Sequence, residues 1–259
     1  MADLRNYQAR AAAAGSRADA SIDEGLRAYM LKVYNLMALG LAITGFAALG
    51  TIMLATTNDP AAAVATLANG KMLTSLGAAL YGSPLRWVVM LAPLGAVFFL
   101  SFRINSMSVS AAQTAFWVYA GLVGLSLSSI FLVYTAQSIT QTFFVTAASF
   151  GALSLYGYTT RRDLSAMGSF LIMGVFGLII AMLVNIFLQS SALQFAISAI
   201  GVLVFAGLTA YDTQQIKEMY WEGDETLVAG RKAIMGALRL YLDFLNLFMF
   251  LLQFLGNRE

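Results

Sequence analysis

The chain has 259 residues, 59% hydrophobic and only 11% charged, with a net charge of +2. Soluble domains carry about 45–50% apolar and about 25% charged residues, so an ordinary soluble domain is excluded, and so small a net charge gives no footing for nucleic acid. Cysteine and histidine are both absent, which rules out disulfides, Cys/His zinc sites and Ser-His-Asp chemistry.

Residues 1–28 are polar and alanine-rich, with charges of both signs. They are expected to form a flexible cytoplasmic tail, since "AAAAG" is too short for the apolar core of a secretory signal. The remaining domain, 29–256, reads as an all-α polytopic membrane protein with seven spans. Hydropathy places the first from about Leu31 to Thr56. A loop with "TNDP" and "LANGK" follows, a candidate for a short helix. The second span covers about Leu85–Phe102, with Pro93 inside it as an expected kink. The others cover about Val109–Tyr134, Thr142–Tyr158, Met167–Leu188, Leu193–Ile216 and Ile234–Gly256.

Basic residues near span ends set the expected orientation. Arg5, Arg10, Arg17, Arg27 and Lys32 precede the first span, and Arg103, Arg161, Arg162, Lys217, Arg231 and Lys232 share their side. Lys71, Arg86 and Arg258 fall on the other. The N-terminus is therefore expected in the cytoplasm and the C-terminus outside.

Two acids fall inside the spans: Asp212 in "GLTAYDTQQIK" and Asp243 in "RLYLDFLNLFMFLLQFLG". A charge at the bilayer centre costs about 2.5–3.5 kcal/mol on insertion scales, so polar groups there face the bundle interior or water. Arg239, Asp243, Asn246 and Gln253 are spaced to share one helical stripe, as are Ser198, Gly201, Thr209 and Asp212. The short loop between the two spans lets these stripes face each other and bring the carboxylates together. Simpler readings stand beside this one. Asp212 lies near a span end and could be a solvated interfacial residue, and Arg239 with Asp243 could form an i,i+4 ion pair of purely structural value.

"FAGLTAYDTQQIK" followed by "LRLYLDFLNLFMFLLQFLG" resembles the signature of the Bax inhibitor-1 (transmembrane Bax inhibitor motif) family, and the likeness extends over residues 29–256. The chain looks like a bacterial member. The resemblance implies six helices around a central seventh in the inner membrane, and a pH-sensitive calcium leak. It also implies that Asp212 and Asp243 form the proton-sensing pair and that an arginine at the inner end of the second span latches onto Asp212. Arg103 is the nearest match to that arginine, although its spacing to the following segment departs from the family pattern. Arg239 is the local rival.

Three functions compete on these residues. In the first, protons regulate passive calcium passage. Two carboxylates in one buried site cannot both ionise cheaply, which makes the pair responsive to pH. Two carboxylates with Thr209 and Asn246 fall short of the 6–8 oxygens calcium favours, which suits a transit point rather than a tight site or a resident cofactor. In the second, the protein modulates a membrane protease or a stress or death pathway without moving ions. The third, an intramembrane aspartyl protease, finds its YD motif in "AYD". Its GxGD motif reads "LYLD" here, and a PAL sequence is missing. The expectation is a leak protein, not an enzyme, whose partners are lipid, protons and calcium, with a membrane protease as a further candidate.

Overall fold

The computed structural model describes residues 2–257, with side chains described for residues 24–257. Most of the expected 1–28 tail therefore lies outside the described side chains. The helices are α1 (Ala2–Ala55), α2 (Leu85–Arg103), α3 (Val109–Leu127), α4 (Ala136–Thr159), α5 (Ser165–Leu188), α6 (Ser191–Glu218) and α7 (Thr226–Leu255). Each contains a segment long and apolar enough to cross a membrane, Glu24–Ala55 in the case of α1. Pro93 lies inside α2.

Hydroxyl side chains start several of these helices by occupying an orphan N–H of the first turn. Ser108 accepts from Ala111 N before α3, Thr135 from Ser138 N before α4, and Ser190 from Leu193 N before α6. Gln189, in the left-handed region at φ 49°, ends α5 and turns the chain into α6. Two helices begin earlier than hydropathy suggested, α4 at Ala136 and α7 at Thr226. Their first turns are too polar for hydrocarbon, yet the hydrogen-bond ladder continues through them.

The first loop corrects an expectation. Its "TNDP…LANGK" segment forms a small antiparallel sheet of two-residue strands: β1 (Thr56–Thr57), β2 (Ala65–Thr66) and β3 (Met72–Leu73) in the order β1-β3-β2. Thr56 and Ala65 both register with Leu73. A helical turn comes only afterwards, at Ser75–Gly77. Lys71 Nζ donates to Phe131 O at 2.6 Å and Asn69 Nδ2 to Leu132 O at 2.8 Å, tying this cap to the chain after α3.

The seventh helix is the core of the bundle. Two thirds of its apolar window is buried, against 11–39% for the other six, and it packs on α1, α3, α4 and α6. The outer helices α2 and α5 pack chiefly on α3 and α6, and they turn large apolar side chains such as Phe102, Phe170 and Phe187 outward. Four helices thus touch α7 directly, and two form an outer layer.

Close helix approach is set by glycine, as expected where small residues line contacts in lipid. A Cβ on Gly157 of α4 would collide with the backbone of Ala210 of α6. Polar contacts lock the same pair. Lys217 Nζ donates to Tyr158 O at 2.9 Å, Gln214 Nε2 to Arg162 O at 2.8 Å, and Leu164 N to Gln214 Oε1 at 2.9 Å. The α4–α5 turn is thereby pinned to α6, which fixes the wall of the site described next.

Candidate functional site

Asp212 and Asp243 meet across the α6–α7 contact, with their carboxyl groups in hydrogen-bonding relation. Asp243 is only 5% exposed, whereas Asp212 is partly exposed. The second oxygen of Asp243, Oδ2, is buried without a hydrogen-bond partner. Two ionised carboxylates offer acceptors only; a hydrogen bond between them requires a proton on one. The two side chains are placed so that a proton on either one could bridge them.

Both acids border a cavity of about 590 Å³ between α5, α6 and α7. Arg239 and Asn246 line it too, so the stripe at 239, 243 and 246 faces one space. Its apolar walls include Leu178, Phe205 and Phe250. The gap exists because α5 packs on α6 rather than on α7. Arg239 lies one helical turn before Asp243, is exposed, and acts electrostatically on both acids. Among the described residues it makes no direct ion pair with either. The ion pair nearby is Lys232–Asp224, at 2.5 Å, and Lys232 also donates to Met219 O, closing the α6–α7 loop.

The remaining sequence-predicted residues are distributed as follows. Arg103 sits exposed at the end of α2, packed on α3, and it does not line the cavity. Thr209 is buried, but its hydroxyl donates to Phe205 O of its own helix at 2.8 Å and does not reach the cavity. Asn246 lines the cavity while its Nδ2 donates to Leu242 O. Gln253 belongs elsewhere: it accepts from Gln194 Nε2 at 2.8 Å, in a network with Asn185 and Ser198 toward the other end of the bundle. Gly201 receives the Phe250 ring.

Two polar chains were not foreseen. Tyr34 OH, Ser154 Oγ and Thr213 Oγ1 form a run at 2.6 and 2.8 Å linking α1, α4 and α6, and it ends one residue from Asp212. On α7, the fully buried Tyr241 hydroxyl meets Thr44 Oγ1 at 2.6 Å, and Thr44 donates to Ala120 O. A lone Ser, Thr or Tyr is common in apolar spans and can bond to its own helix, so neither chain leaves a signal in the sequence.

Comparison with known proteins agrees with the fold. Residues 26–259 match the family model described as "Inhibitor of apoptosis-promoting Bax1". An uncharacterized protein of Rickettsia prowazekii is 50% identical over 239 residues, covering 92% of this chain and 93% of its own length. A Caulobacter vibrioides protein is 46% identical over the full length of both chains. Inner membrane protein YbhL of Escherichia coli K12 is 45% identical, over 91% of this chain and 94% of its own. With seven candidate spans, the last of them buried among the others, and this match over nearly the whole chain, the protein belongs to the Bax inhibitor-1 family.

Proposed function

We propose that the protein is a pH-regulated calcium leak of the bacterial inner membrane, with Asp212 and Asp243 as its proton sensor and Arg239 as the cation that clasps them. The carrying observation is the carboxyl pair, with Asp243 buried and one of its oxygens unpartnered, beside a cavity that Arg239 also lines. When both acids are ionised, like charges in a low-dielectric site need a cation, and Arg239 can swing one turn along α7 to supply it. Protonation removes that need and releases the arginine. The α5–α6–α7 gap then relaxes and passes calcium, which meets too few oxygens to stay.

The chain acts without a catalytic residue or resident cofactor; the absence of GxGD speaks against an intramembrane protease. The inner-membrane assignment leans on the Escherichia coli relative, which is named an inner membrane protein. A cytoplasmic N-terminus rests on the basic residues gathered at one end. In this cysteine-free chain, single cysteines at Asn58 and Glu222 report orientation. An impermeant thiol reagent should label the first in intact cells and spare the second; the reverse pattern inverts the topology.

The deciding experiment is calcium flux through purified protein in liposomes, with pH varied on each side. Flux that rises as the cytoplasmic face is acidified supports the leak. No flux at any pH favours the non-transporting modulator of a membrane protease or stress pathway.

A further inference from the structure

A second cavity, of about 650 Å³, lies between α1 and α4, away from the carboxyl pair. Arg27 stands at its mouth, and Leu31, Tyr34 and Ala38 continue along α1, faced by Gly151 and Leu155 of α4. The two helices meet at its floor through the Tyr34–Ser154 hydrogen bond and otherwise leave the cleft open. Beyond Gly151 there is open space, with nothing within 4 Å of where a Cβ would stand.

Three observations identify the occupant. The walls are apolar, and Leu31 and Leu155 are exposed toward the hydrocarbon, so the cleft takes an acyl chain without stranding a polar group. From Arg27 to Ala38 is eleven residues of helix, about 16 Å at 1.5 Å per residue, which matches one leaflet of a roughly 30 Å hydrocarbon core. The mouth is basic. Arg27 lines it, and Lys217 bonds to the carbonyl of Tyr158 and lies 5.6 Å from that ring, which forms the α4 side. Arg161 and Arg162 follow directly on α4 and are exposed; Glu24, one turn before Arg27, is the acid nearest in sequence on α1. Basic pockets between membrane helices suit anionic headgroups.

We propose that the α1–α4 cleft binds one acyl chain of an anionic phospholipid, with Arg27 and Lys217 facing its phosphate. The bound chain completes the lateral seal between α1 and α4. It also sits against the Tyr34–Ser154–Thr213 run that reaches the helix bearing Asp212.

Native mass spectrometry of the full chain, released from vesicles with equal phosphatidylglycerol and phosphatidylcholine, tests this. Wild type should retain phosphatidylglycerol over phosphatidylcholine by about fivefold or more, and Arg27→Gln should reduce that preference by about fivefold. Gly151→Phe should fill the open space and lose one retained lipid per chain, at an unchanged melting temperature. Ala38→Phe, from the facing wall, gives the same reading if Gly151→Phe fails to fold. Equal headgroup preference in wild type and Arg27→Gln overturns the proposal, as does unchanged lipid retention in the filled variants. Cross-linking of two copies through cysteines at Ala38 and Gly151 also overturns it, because a second copy would then occupy the cleft.

Discussion

Replacing each acid by asparagine and by leucine separates the hydrogen bond of the Asp212–Asp243 pair from its charge. Asparagine keeps the shape and supplies an N–H donor where the proposed pair would use a proton. In Asp212→Asn, the new amide can donate to the buried Asp243, so the fold should lose no more than about 1 kcal/mol. Leucine removes the donor. Asp243 is 5% exposed and its Oδ2 is already unpartnered; Asp212→Leu therefore leaves a buried carboxyl with no partner at either oxygen, a cost of about 2–3 kcal/mol. The converse variant is milder. Asp243→Leu orphans Asp212, which is partly exposed at the cavity, and should cost nearer 1 kcal/mol. At about 2–4 °C per kcal/mol for a chain of this size, Asp212→Leu should melt roughly 4–12 °C lower and Asp243→Leu by about 2–4 °C. The assays are thermal melting in detergent and liposomal calcium flux against pH. Both asparagine variants should melt within about 4 °C of wild type and show a flattened flux–pH curve. Equal melting of Asp212→Leu and Asp212→Asn refutes the hydrogen-bonded pair. Unchanged flux–pH curves in both asparagine variants refute the sensor.

The arginines are distinguished by position: Arg239→Ala should raise calcium flux at high pH, where the acids are ionised and the wild type is closed, whereas Arg103→Ala, away from the cavity, should leave the pH response unaltered. A reversed result returns the latch to Arg103. Packing is tested by Gly157→Val, whose branched side chain meets the Ala210 backbone; α4 and α6 should part, and the fraction recovered as monodisperse protein should fall several-fold. Recovery equal to wild type would mean that this contact does not hold α4 against α6.

Much of this protein is legible residue by residue, because the bilayer acts on each residue separately. An apolar run of about twenty residues must cross, and an acid within it must face protein or water, so seven spans and the standing of Asp212 and Asp243 follow from local chemistry alone. The helical period likewise places Arg239, Asp243 and Asn246 on one face. Tertiary structure decided what those faces meet. Gln253 shares the same stripe but bonds to Gln194, because two ends of one helix face different neighbours. Thr209 points from the expected seam, yet its hydroxyl is taken by the carbonyl one turn back. Arg103 and Arg239 are equivalent as cations in the sequence. Only the packing of α2 on α3, and of α5 on α6, leaves the first at the margin and opens a cavity beside the second. The two-residue strands after α1 form through pairing with Leu73 and Met72, contacts too short in extent to register as alternation. Hydropathy and helical period are properties of neighbours in the chain, whereas a facing carboxyl pair depends on two helices arriving at one place.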